Sequence, residues 1–267
     1  MTGQLFLMSL RRHWRGALLW AIGLGILANR TILLVPDVDA LKQYAELFET
    51  LPPALLQMFG GDVLSIASPE GFLNLSFHSF LPLILALYLV PLGLNTTLNE
   101  EEEGIMDVVM ALPIARWRVV AERFAAYSVL IIGIVAITHI MIVVGFTSSP
   151  LTYNLDNVNA ASLNILPASF FILTLTIMIA TLVRRRVTVL SIMGAIITAS
   201  YFIETLGRAA SSSSISTLRA VSFYAYYNSA DVFQKGLNPL NVIALLGLSA
   251  VFGAVALWGW QRRDIGL

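Results

Sequence analysis

The sequence predicts an all-α integral membrane protein with six transmembrane helices, a short cytoplasmic helix between the second and third, and an interfacial helix before the first. Three observations carry that prediction. Of the 267 residues, 57% are hydrophobic and only 12% are charged, against roughly 25% charged residues in ordinary soluble domains. Six stretches meet or approach the ~20 apolar residues that a helix needs to cross a hydrocarbon core. They lie near 17–36, 77–97, 121–146, 163–183, 187–207 and 238–260. Each is continuously apolar and lacks the short alternation of outer-membrane strands, which favours helices over a barrel.

The chain reads as a single transmembrane domain over 1–267. It contains no cysteine, which excludes disulfides, thiolate metal sites and thiol nucleophiles. Sixteen basic residues balance sixteen acidic ones, so the placement of charge matters more than its sum, and nothing argues for nucleic acid.

Residues 1–16 form the first element. In "QLFLMSLRRHWRG" the residues Phe6, Leu7, Leu10 and Trp14 recur at helical spacing, while Ser9, Arg12 and His13 fall elsewhere on the wheel. That pattern predicts a helix lying in the membrane interface. The first span follows, and its apolar run is too long for a signal-peptide core, so it reads as a retained anchor. Arg30 sits close enough to the outer end of that span to snorkel outward.

Basic residues set the orientation. Six spans leave Arg11, Arg12, Arg15, Arg116, Arg118, Arg123, Arg184, Arg185, Arg186, Arg262 and Arg263 on one side. Arg30, Lys42, Arg208, Arg219 and Lys235 are left on the other. The richer side is cytoplasmic by the positive-inside rule, and it holds both termini in a multi-pass cell-membrane protein.

Residues 37–76 on the outer side carry "YAELFETLPPALLQMF", read as a surface helix broken at Pro52 and Pro53. Between the second and third spans comes "LNEEEEGIMDVVMALPIARWRVV". Four adjacent carboxylates would oppose the dipole at the end of the second span and suit the start of a new helix. Gly104 therefore reads as the break between the two. Ile105, Val108, Val109 and Leu112 share one helical face, and Pro113 ends it. The segment 100–118 thus holds a helix too short to span the membrane and amphipathic enough to lie flat.

The triple arginine at 184–186 marks a tight cytoplasmic turn between the fourth and fifth spans. On the outer side, 208–237 combine a serine run with Phe223, Tyr224, Tyr226 and Tyr227. Tyrosines favour the membrane interface, and this segment reads equally as an outer gate, with Tyr226 in it, or as a headgroup-level cover.

Polar residues within the spans are the remaining candidates for a pathway. His78 and His139 read first as interhelical hydrogen-bond partners, although His139 is deep enough for a pathway role. Asn95, Thr96 and Thr97 sit at the cytoplasmic end of the second span. Glu204 is an acidic residue inside a predicted span, a functional candidate by default, and Arg208 is its i+4 partner.

The stretch "EEEEGIMDVVMALPIARWRVVAERF" resembles ABC exporter permeases of the ABC-2 type, in which glutamates and a glycine precede an apolar helix ending in Leu-Pro and a basic residue. The matching positions are Glu102, Glu103, Gly104, Leu112, Pro113 and Arg116. Similarity extends to "LPPALLQMFG", "FYAYYNSADVFQKG" and the closing "WQRRDIGL". The run of four glutamates is longer than the pattern requires.

The resemblance implies a type V exporter-like transmembrane domain whose cytoplasmic segment is a coupling helix seated in a separate ABC ATPase. The contact then falls on Glu101, Glu102, Glu103, Gly104, Asp107, Leu112, Pro113 and Arg116. It further implies a second permease chain, identical or homologous, and efflux of a small amphiphile such as a drug, antibiotic or lipid-like molecule. ATP and Mg are bound by the ATPase, and this chain binds no cofactor. Consistent with that division, no G-x-x-x-x-G-K-[ST] occurs in the sequence, and no H-E-x-x-H or comparable catalytic or metal cluster is seen. The chain reads as a permease subunit without enzymatic activity of its own. An ion-coupled secondary transporter, or a non-transport membrane scaffold, is the alternative.

Overall fold

The computed structural model describes residues 3–35, 37–50, 67–102, 104, 115–209 and 217–263. The described residues are mostly helical, with no strand among them, and six helices are long and apolar enough to cross a membrane. In chain order the helices are α1 (Gln4–Leu33), α2 (Val38–Glu49), α3 (Pro69–Ser76), α4 (Leu81–Leu94), α5 (Leu98–Glu102) and α6 (Arg116–Thr147). They continue with α7 (Leu155–Leu182), α8 (Arg186–Ala209), α9 (Phe223–Tyr227), α10 (Ser229–Lys235) and α11 (Pro239–Arg262).

α7 is the hub of the bundle. Its most apolar stretch is 78% buried, against 17% for α11. α7 packs on α4, α6 and α11, and α1 lies along α6. Small residues set the closest approaches, as expected where lipid tails offer no hydrophobic drive for helix association. A Cβ on Gly93 of α4 would fall 2.7 Å from Thr176 Cγ2 of α7, and one on Gly25 of α1 would fall 2.7 Å from Met141 Cγ of α6. Asn29 adds a cross-helix bond from Nδ2 to the Met141 carbonyl at 3.1 Å.

Three sequence expectations need correction. The interfacial helix over 1–16 is not a separate element, because α1 runs unbroken from Gln4 to Leu33, about 45 Å at 1.5 Å per residue. No proline interrupts it, and its first turns pack on the bundle through Leu5 and Ser9, while Leu7 and Trp14 are exposed. The buried stripe therefore includes a serine assigned to the other face of the wheel.

The second span begins earlier than 77 and is broken. α3 ends at Phe77, whose φ of −133° and ψ of −61° are not helical. A 3₁₀ turn at His78–Phe80 then leads into α4, with a proline in its first turn. Finally, the first three glutamates belong to a short helix that begins before them, while Glu103 and 105–114, where the expected cytoplasmic helix falls, lie outside the described residues. Glu100, Glu101 and Glu102 close the five-residue α5, and Gly104 follows at φ +70°, the left-handed region where glycine is least strained.

Polar caps fix where two of these helices start, and at α7 the cap carries the helix well beyond its apolar window. Asn154 accepts from the Asp156 and Asn157 N–H groups at the start of α7, and Asn238 does the same for Leu240 in α11. Both satisfy donors that a helix start leaves unpaired. α2 rests on the bundle through buried Leu41 and Ala45, with Tyr44 against Phe72 at 5.8 Å between ring centroids. Pro52 and Pro53 lie outside the described residues.

Candidate functional site

An even number of spans brings both ends of the chain to one face of the bundle, and there the helix ends are joined by charge. Glu101 of α5 meets the Arg263 guanidinium at 2.6 Å. Both side chains are largely buried, Arg263 at 6% exposure and Glu101 at 18%. Arg263 also donates to the Ala180 and Thr181 carbonyls at 2.8 and 3.1 Å, placing a cation on the C-terminal end of α7 as the helix dipole favours.

The network closes through α6. Arg116 donates to the Arg263 carbonyl at 2.9 Å, and Trp260 Nε1 donates to the Arg116 carbonyl at 3.1 Å. Glu102 accepts from the Arg186 N–H at 3.0 Å, an anion at the N-terminal end of α8. Glu122 of α6 does likewise for α1, accepting from the Gly3 and Phe6 N–H groups at 3.2 and 3.3 Å.

A second part of the rim centres on Arg123, which is 1% exposed. Its guanidinium donates to the Asn95 and Thr96 carbonyls at 3.2 and 2.7 Å. Asn95 in turn meets His13 Nε2 at 3.3 Å and accepts from Asn99 at 2.5 Å. Carbonyls that α4 leaves unpaired at its C-terminus are thus satisfied by an arginine from α6.

Electrostatics at the rim follow burial. Burial pushes the Glu101 carboxyl above its ordinary value and outweighs the opposing pull of Arg263 and Arg184, with Glu102 adding to the rise. Burial also lowers Arg263, against the attraction of Glu101. The pair is one whose desolvation offsets much of its Coulombic gain.

The sequence candidates fall at separate places. Glu101, Glu102, Gly104 and Arg116 lie at the terminal face with Asn95 and Thr97, both of which sit at the end of α4. Thr97 is fully buried, with no hydrogen-bond partner for its hydroxyl among the described residues. Glu103, Asp107, Leu112 and Pro113 lie outside the described residues. His139 meets Ser162 at 2.9 Å between α6 and α7, an interhelical bond of the kind expected.

Glu204 and Tyr226 lie at the opposite face. Glu204 pairs with Arg208 at 2.6 Å as its spacing predicts, and also with Arg219 at 2.9 and 3.0 Å. The bond to Glu204 holds Arg219 above its ordinary value, against partial burial. Tyr226 donates to the Ala220 carbonyl at 3.0 Å, a bond that braces its own loop.

Arg263, Arg123, Glu122 and Arg219 carry these networks and were not singled out as site residues. The three arginines enter the sequence reading only through the count of basic residues on each side, and Glu122, just inside the third apolar run, has no signal of its own there. No group of three or more potential metal ligands occurs among the described residues.

The family model described as "Multidrug efflux system permease Rv1217c, C-terminal domain" matches residues 4–261. No curated protein matches the sequence.

Proposed function

The chain belongs to the multidrug efflux system permease family whose model covers residues 4–261, and on that premise we propose that it is the membrane-spanning subunit of an ATP-driven ABC exporter of the ABC-2 type. In this reading a separate ATPase supplies the energy, binding ATP and Mg, and a second permease chain completes the pathway. The substrate is a drug, antibiotic or lipid-like amphiphile. The face carrying the termini is cytoplasmic, in keeping with its eleven basic residues against five opposite.

One observation supports the coupling role above the others. The acidic segment after α4 is tied at once to α7, α8 and α11 through Glu101 and Glu102. A displacement of this segment by a docked ATPase would therefore be felt by three spans together. Coupling requires that the two states of the ATPase contact the segment differently. Glu101 is largely consumed by Arg263, which leaves the exposed Glu102 and the segment beyond it as the ATPase-facing acids.

The test is copurification with a candidate ABC ATPase, for wild type and for the double substitution E102K/E103K. The reading predicts a stable wild-type complex whose ATP hydrolysis rises with amphiphilic compounds, and weakened recruitment in the variant. Unchanged recruitment and transport in the variant refute the role given to the acidic end. Transport by the chain alone on an ion gradient would instead support a secondary transporter.

A further inference from the structure

Between α6, α7 and α11 lies a cavity of about 480 Å³. α6 and α7 each present a phenylalanine to it, Phe124 and Phe170, and α11 presents a wall of small residues that includes Ala250, Gly253 and Ala254. We propose that this cavity binds an uncharged aromatic molecule of drug size, packed against the rings of Phe124 and Phe170.

The lining sets the charge of the ligand at zero. No acidic, basic or histidine side chain lines the cavity. The charged residues of α6 next to it in sequence are engaged with other helices. Glu122 accepts from the Gly3 and Phe6 N–H groups of α1, and Arg123 donates to the Asn95 and Thr96 carbonyls at the end of α4. At the rim, Arg116 and Arg263 are held in the terminal network, and Arg262 lies over the Trp258 ring at 4.4 Å. The two hydroxyls in the wall are turned back on their own helices. Thr174 donates to the Phe170 and Phe171 carbonyls at 2.8 and 3.2 Å, and Ser249 to the Leu245 carbonyl at 2.7 Å. Among the described residues, a charged ligand would find no counter-ion here and a polar one no unused hydroxyl proton, and both omissions are costly in an apolar site.

Size and ring chemistry set the rest. A volume of 480 Å³ falls within the roughly 300–1,000 Å³ of small-molecule sites. The glycine in the wall does not serve close helix packing as Gly25 and Gly93 do, because a Cβ on Gly253 would meet nothing within 4 Å. Phe124 and Phe170 are half-buried and touch no other aromatic ring among the described residues, whereas the adjacent Phe171 is packed on Phe223 and Phe252 at 5.2 and 5.5 Å between centroids. A ligand ring can therefore take the offset or edge-to-face contacts that aromatic pairs favour. The cavity runs from Leu257, one turn from the rim residue Trp260, to Leu246, about 16 Å along α11 at 1.5 Å per residue. Only 17% of the most apolar stretch of α11 is buried, so this wall borders the hydrocarbon in which an uncharged aromatic molecule dissolves.

Binding here does not depend on an ATPase, so it is tested on the full chain alone, in phosphatidylcholine nanodiscs. The photoprobes share one ring system and differ in charge: benzophenone, 4-benzoylbenzoate and (4-benzoylbenzyl)trimethylammonium. After irradiation, mass spectrometry reads the labelling of 246–257 relative to Ile132 and Leu190, which are 49% and 37% exposed outside the cavity, so that partition into the lipid cancels. Benzophenone should be enriched at the cavity at least about tenfold, the worth of two aromatic contacts, and neither charged probe should be enriched. Excess biphenyl should erase the enrichment, and excess dodecane should leave it. Gly253→Leu grows into open space while favouring the helix, and should abolish the enrichment. Phe124→Leu removes one ring and should lower it about threefold, half of the two-ring effect on a logarithmic scale. Absence of benzophenone enrichment, or equal enrichment of all three probes, would overturn the proposal. Displacement by dodecane as readily as by biphenyl would also overturn it, marking a crevice for lipid chains. So would enrichment undiminished in whichever variant folds.

Discussion

Replacing Arg263 by glutamine removes the most heavily used side chain of the terminal rim, and the size of the effect can be worked from its bonds. The guanidinium bonds the Ala180 and Thr181 carbonyls and Glu101. Two bonds from a charged donor at the lower end of about 1.5 kcal/mol each give a loss of about 3 kcal/mol. Glu101→Gln should behave differently. The amide oxygen still accepts from Arg263, and the charge it gives up was one that burial already disfavours, so the loss should stay within about 1 kcal/mol. The assay is equilibrium unfolding in mixed detergent micelles, for both single variants and the double. The double variant should be little worse than Arg263→Gln, because the arginine's bonds to the α7 carbonyls carry most of the stability. If Glu101→Gln is as damaging as Arg263→Gln, the ion pair dominates and the reasoning about desolvation is wrong.

The same carboxylate gives a pH dependence with a definite sign. Its folded value lies above the ordinary glutamate value, so the native state takes up the proton first. Wild type should gain stability relative to Glu101→Gln as pH falls from the raised value towards 4.5, and the gain should be complete below it; a loss over that range would contradict the assignment. Gly93→Ala should cost about 1–3 kcal/mol through overpacking, because the new methyl falls 2.7 Å from Thr176 Cγ2 and 2.9 Å from its Cβ. Adding Thr176→Ser removes that methyl and should recover part of the loss in the same unfolding assay, whereas no recovery would place the strain elsewhere. Glu122→Ala leaves the Gly3 and Phe6 N–H groups without their acceptor and should cost about 1 kcal/mol, as loss of a helix cap does. Hydrogen exchange should then speed up in the first turn of α1 while the middle of that helix is unchanged, and equal exchange in both proteins would show that the cap contributes nothing.

The spans were legible because hydrophobic length is a local property, readable in one window of sequence. Their ends were not. α7 starts at Leu155 rather than near 163 because Asn154 caps it, and a single capping residue leaves no mark on an apolar average. The break at Phe77 was hidden for a similar reason, since "SFHSFLP" is apolar enough to read as continuous helix. The start of α1 is held by a carboxylate 119 positions away in sequence, Glu122 bonding Gly3, which no local pattern reveals.

The candidate site shows the same division. Glu204 with Arg208 was readable from i+4 spacing, but Arg219 joins them from beyond the end of α8. Glu101 and Glu102 stood out as part of an acidic run. Their partners, Arg263 and the N-terminus of α8, are brought to them by the even number of spans, so Glu101 turns inward while Glu102 caps α8 and stays exposed, where the sequence suggested only an outward-facing contact.

Drug efflux from proteoliposomes bears most directly on the claim that a separate ATPase drives this permease. The chain should give no transport alone, whether ATP or an ion gradient is supplied. It should give ATP-dependent efflux once a copurifying ABC ATPase is added, with the effect lost when that ATPase cannot hydrolyse ATP. Efflux by the chain alone on a proton or sodium gradient, unchanged by the ATPase, would contradict the account.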